Sequence, residues 1–102
     1  MDFAFATPRE VCQAIGERLR QQRLVQALSQ QELALRAGVS VGTVKNIEGK
    51  GQASLESVVR VVLALGLADE LAGLFQIKLR SIAEMQQAEQ AKRQRAPRRR
   101  SP

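Results

Sequence analysis

Between residues 40 and 46, Ser40, Val41, Gly42, Thr43, Lys45 and Asn46 offer hydroxyls, an amide, an ammonium group and small apolar surfaces, with no carboxylate among them. Such a set makes directional hydrogen bonds and methyl contacts, and it tolerates a nearby anion. Thr43 and Asn46 stand three residues apart, the spacing that puts two side chains on one face of a helix. Asparagine donates and accepts at once, so it can pair bidentately with a planar donor–acceptor edge. Groups for catalysis are missing. The chain has no histidine, and its one cysteine, Cys12, has no evident activating base. Gly49-Lys50-Gly51 lacks the spacing of a phosphate-cradling loop and follows no strand. The expectation is a binding protein and not an enzyme, with no catalytic residues, no metal and no cofactor.

Side chains of that kind need a rigid mount, and the flanking residues supply one. Ser29, followed three residues on by Glu32, reads as a capping box that opens a short helix. Gly38 sits where a left-handed residue would end it. Ser40 then caps a second helix that runs through Asn46, with Gly49 as its expected stop. Leu33, Ala34 and Ala37 before the turn, Val39 within it, and Val44 and Ile47 after it fall where two crossing helices need apolar contacts. Ala34 is small enough to let the second helix come close. The arrangement is a helix-turn-helix. A hairpin that merely packs is the plainer alternative, and against it stands the joint occurrence of small residue, turn glycine and apolar positions in one window.

Upstream, Phe3 and Phe5 belong to a short arm, residues 1–6, that either packs on the domain or on a second copy, or has no order. Thr7-Pro8-Arg9-Glu10 opens the first helix, with Pro8 at its tolerated first position. Val11, Ile15 and Leu19 give one apolar stripe down to about Val25, with Cys12 on the apolar side as a buried thiol and Leu28 closing the corner. Downstream, Lys50 to Ala53 reads as a loop. Ser54 caps a helix from Leu55 to about Leu65 that stops at Gly66, and a short helix from Ala68 to Phe75 follows, its Leu71, Leu74 and Phe75 sealing the bottom. The Leu55 helix is apolar on more than one face. Its surplus faces either a second protomer or the interior of its own domain. These elements define a domain over residues 7–75. From Gln76 the chain turns polar and basic: Ser81 and Glu84 can cap one more helix to about Arg95, marginal on its own, before Pro97 forbids continuation. Residues 98–102 read as disordered.

A chain of 102 residues has room for one small domain with a modest core, for which association is a common source of stability. Its net charge of +6 is unevenly spread. Residues 1–75 hold eight basic and eight acidic side chains, whereas residues 76–102 hold eight basic and two acidic ones. The domain is neutral and the tail carries the whole excess, so the two must be argued separately. A lone cysteine excludes an internal disulfide and fits a reducing cytoplasm. The opening MDFAF lacks a basic leader, and no apolar run approaches the roughly 18 residues of a membrane span. A soluble, cytoplasmic protein with no membrane partner is expected.

From about Ile15 to about Phe75, on the residues just named, the chain resembles the Cro/repressor-type, XRE-like helix-turn-helix regulators. The resemblance implies an all-α, five-helix lambda-repressor-like domain with a basic, partly helical or disordered C-terminal tail, and double-stranded DNA as its partner. The helix after the turn would enter the major groove and bring Val41, Gly42, Thr43, Lys45 and Asn46 to base edges. Val41 can meet a thymine methyl, Thr43 a base or a phosphate, and Asn46 an adenine. Gln30 and Lys50 match positions that contact phosphate in the family, and Ser40 joins them as an expected phosphate contact. Arg23 and Glu48 match a pair that forms a partly buried ion pair in similar domains. Larger polar residues are usual at the positions of Val41 and Gly42, which shifts part of the expected specificity to DNA shape. The tail cations Lys92, Arg93, Arg95, Arg98, Arg99 and Arg100 suit a non-specific DNA clamp, a membrane-surface or RNA patch, or the element by which an antitoxin engages its toxin. The layout with its basic extension is similar to HipB-like regulators encoded beside HipA-type kinase toxins. The expected function is a dimeric, sequence-specific repressor, with a toxin-binding antitoxin that autoregulates its operon as the alternative.

Overall fold

A computed structural model of the chain describes residues 2–78 and 81–95, all helical or loop. They divide into two compact units, one up to Ala72 and one from Gly73 on. The first unit opens with a 3-10 turn, Phe3–Phe5, and holds α1 (Pro8–Val25), α2 (Gln30–Ala37), α3 (Val41–Lys50), α4 (Leu55–Ala64) and α5 (Ala68–Ala72). The second holds α6 (Ile82–Arg95).

Each long helix starts where a short polar side chain can satisfy the free N–H groups of its first turn. Thr7 Oγ1 accepts from the Glu10 N–H at 3.1 Å, and Glu10 accepts in return from the Thr7 N–H at 2.8 Å. Ser29 and Glu32 repeat this box at 3.0 and 2.8 Å. Ser40, Ser54 and Ser81 cap α3, α4 and α6 through Thr43, Ser57 and Glu84. The ends are set by left-handed residues: Gly38 after α2, Gly51 after α3, Gly66 beyond α4 and, without glycine, Ala27 after α1.

Between these ends one core forms from Leu19, Leu28, Leu33, Ala34, Ala37, Val44, Ile47, Val61, Val62 and Leu65. Leu33, Val44 and Val61 are fully enclosed, and each contributes about 2 kcal/mol through burial. Ala34 and Ala37 on α2 are small where α3 crosses, so Val44 and Ile47 reach the centre.

Several expectations are corrected. The second glycine stop is Gly51 and not Gly49: α3 continues through Gly49 to Lys50, and the Gln52 N–H then closes onto the Asn46 carbonyl at 3.3 Å. Tertiary packing decides between the two glycines. A Cβ at Gly51 would run into the Cys12 backbone on α1, while Gly49 has nothing near it. Cys12 is exposed, and so are Ile15 and Val25, because the buried stripe of α1 is Gly16, Leu19 and Arg23. The short fifth helix ends at Ala72; Leu71 packs on the core, whereas Leu74 and Phe75 are exposed. Phe3 lies under the Arg18 guanidinium, 5.0 Å from its ring centre, and Phe5 is exposed. Ser81 does cap a helix to Arg95. Pro97 and residues 98–102 lie outside the described residues.

Candidate nucleic-acid interface

The tight α2–α3 turn leaves one face of α3 uncovered along its length. Ser40, Gly42, Lys45 and Asn46 are exposed there, while Val41 and Thr43 are half-buried. Val41 leans on the core, so only part of its side chain is offered outwards. Thr43 shares a hydrogen bond of 2.9 Å with Ser40, so neither hydroxyl is idle in the free protein. Gly42, Asn46 and Gly49 follow at i, i+4 and i+7 and so line one outward stripe. Neither glycine is crowded: Gly42 has only the Ser40 hydroxyl near its missing Cβ, and Gly49 has nothing. The stripe therefore shows one amide flanked by bare backbone. Sequence reasoning missed Gly49 as a surface residue because it read that glycine as a stop.

The opposite side of α3 is anchored by charge. Arg23 Nε and Nη2 donate to the two oxygens of Glu48 at 2.7 and 2.9 Å, and Nη1 donates to the Leu28 carbonyl at 2.8 Å. The two side chains are only 8% and 4% exposed. Gln30 completes the cluster by donating its amide to Glu48 at 3.0 Å. Burial pushes the Glu48 carboxyl up, but the hydrogen bonds from Arg23 and Gln30 and the positive charges of Arg23 and Arg20 outweigh it and hold the group below its ordinary value. Glu48 is the one acidic residue of α3. With it buried and paired, the exposed surface of that helix is free of negative charge.

Two glycines set the distance at which α1 braces α3. A Cβ on Gly16 would collide with the Ile47 carbonyl, and one on Gly51 with the Cys12 carbonyl. Gly51 also needs its positive φ of 66°. Backbone therefore packs on backbone along this seam, which sets how closely α1 and α3 approach. Gly16 escaped sequence reasoning, where an interior helix glycine reads only as a small loss of propensity.

A family model described as Helix-turn-helix matches residues 19–72, more than half of the chain. The chain belongs to this helix-turn-helix family. It is thereby a DNA-binding transcription regulator of the XRE kind. No curated protein matches it. The match covers all the core residues named above and both members of the Arg23–Glu48 pair.

Around the helix-turn-helix unit, Gln30 begins α2 and Lys50 ends α3, the latter exposed. Of the tail cations, Lys92 and Arg93 lie exposed on α6 and Arg95 is its last residue; Arg98, Arg99 and Arg100 lie outside the described residues. Among the described residues, no group of His, Cys, Asp or Glu is placed to hold a metal ion. No helix among them is long and apolar enough to cross a membrane.

Proposed function

We propose that the chain is a dimeric, sequence-specific repressor of the cytoplasm that lays α3 in the major groove of double-stranded DNA. One observation carries this reading: the only carboxylate of α3 is buried against Arg23, so the helix offers the duplex an uncharged or basic surface along its whole exposed side. Asn46 pairs with an adenine edge, Lys45 and Thr43 reach neighbouring base edges, and the outward part of Val41 meets a thymine methyl. Gly42 and Gly49 let the helix backbone sit deep, so much of the sequence preference comes from groove shape and deformability. Ser40 and Lys50 hold phosphates. The Gln30 amide is engaged by Glu48, which leaves its backbone N–H, at the first position of α2, as the group for phosphate.

Dimer formation is supported by the apolar side chains left uncovered on α4, Leu55 and Leu63. A two-fold pair would set the recognition helices about 34 Å apart and demand a palindromic site. The basic tail acts as a non-specific clamp on the same duplex. Sedimentation of the full chain, together with selection of duplexes from a random pool, tests the assembly. A dimer and a palindrome are expected, whereas a monomer that occupies a single half-site contradicts it. Truncation after Gln76 tests the tail: affinity for all sequences should fall and the salt dependence should become shallower. An unchanged salt slope would favour a protein partner, as in the antitoxin alternative.

A further inference from the structure

The seam between α1 and α3 carries a cation that the Arg23–Glu48 cluster does not consume. Gly16, Arg20 and Arg23 stand at i, i+4 and i+7 on α1 and so share one stripe. That stripe faces α3, since Gly16 abuts the Ile47 carbonyl and Arg23 grips Glu48. On one shoulder of the stripe Leu19 is buried, and Gln26 donates to the Leu65 carbonyl at 2.8 Å at the end of α4. Helical geometry puts Arg20 on the other shoulder, away from the core, with 46% of its side chain exposed. It pairs only loosely with Glu17, at 3.5 Å, and Glu17 is itself half exposed. An ion pair of that kind gains little and is easily exchanged.

Arg20 nevertheless acts towards α3, where its charge helps to hold Glu48 ionised. Glu48 also accepts from Gln30 at the start of α2. On the reading above, a strand with a phosphate at the α2 N-terminus would run beside the Glu48 cluster, where Arg20 is an exposed cation close enough to act on Glu48. We propose that Arg20 is a further phosphate contact, supplied by α1 to the interface formed by α2 and α3. The proposal rests on the DNA-binding reading above. On contact, the guanidinium leaves a half-solvated carboxylate for a phosphate it can grip with two N–H groups, and a counterion is released from the duplex.

The test compares the full-length chain with Arg20→Gln and Glu17→Gln over a range of salt concentrations, on a duplex enriched from a random pool and on the unselected pool. Arg20→Gln should weaken both by a similar factor, roughly threefold to tenfold, and lower the salt slope by about 0.9. Glu17→Gln should keep the slope and bind at least as tightly, and both variants should melt at the wild-type temperature. Full slope retained by Arg20→Gln, or the same loss caused by Glu17→Gln, overturns the proposal and leaves the DNA reading standing. Wild-type protein that binds neither duplex overturns both.

Discussion

Removing the Glu48 carboxylate should destabilise the domain far more than removing the whole ion pair. Glu48→Ala deletes the two bonds from Arg23, at 2.7 and 2.9 Å, and the bond from Gln30 at 3.0 Å. Arg23, with a side chain 8% exposed, then keeps only the Leu28 carbonyl as a buried partner. An uncompensated buried charge of this kind costs about 3 to 5 kcal/mol. A unit of about 72 residues holds about 4 to 11 kcal/mol in total, so much of the stability goes. In Arg23→Met/Glu48→Leu both charges leave and apolar volume fills the site, so stability should return to within about 1 kcal/mol of wild type. Its DNA affinity should stay low, because the fork that fixes the inclination of α3 is gone. Urea unfolding followed by far-UV circular dichroism measures the cycle, since the chain has no tryptophan or tyrosine to serve as a fluorescent probe. A Glu48→Ala loss below about 1 kcal/mol would mean the pair behaves like a surface pair, and a double variant as unstable as the single would mean that it stabilises the fold outright. Either result refutes the positional account.

Three further outcomes are expected. Because the folded Glu48 carboxyl is held below its ordinary value, its contribution is present above the unfolded carboxylate pKa of about 4.3 and is lost as pH falls from there through the folded value; acid titration of Glu48→Gln should show a flatter loss in that window. Gly16→Ala should cost roughly 1 to 3 kcal/mol in urea unfolding, because its methyl meets the rigid Ile47 carbonyl and overpacking displaces backbone, whereas Gly49→Ala, with open space around it, should stabilise the free protein by about 0.5 to 1 kcal/mol. Ala27→Gly should raise the melting temperature by a few degrees, since a residue at φ 57° with an exposed side chain loses a steric penalty of roughly 1 kcal/mol.

Much of this was legible in the chain because the signals were local. Thr7, Ser29, Ser40, Ser54 and Ser81 act through neighbours three residues away, so the start of every capped helix could be read from spacing. The crossing of α2 and α3 was legible too, since Leu33, Ala34, Ala37, Val44 and Ile47 sit within one short window. What escaped depends on contacts distant in sequence. The buried stripe of α1 includes a glycine and an arginine, so hydrophobic periodicity phases that helix wrongly and turns Cys12 inward. Gly49 and Gly51 are indistinguishable until the Cys12 backbone is known to lie against one of them. Resemblance alone points Gln30 towards phosphate, and nothing nearby in sequence announces the bond that its amide makes to Glu48, 18 residues away.

The most direct test of α3 as the reading helix is the effect of Asn46→Ala on two duplexes, one enriched by selection and one of random sequence. Asn46 is exposed on the outward stripe between two uncrowded glycines, so the substitution should leave the fold intact. Affinity for the selected duplex should fall by roughly 1 to 3 kcal/mol while random-sequence affinity barely changes. Equal losses on both would show that Asn46 touches only the DNA backbone, and no loss on either that it touches nothing; in both cases α3 would no longer be the element that reads the sequence.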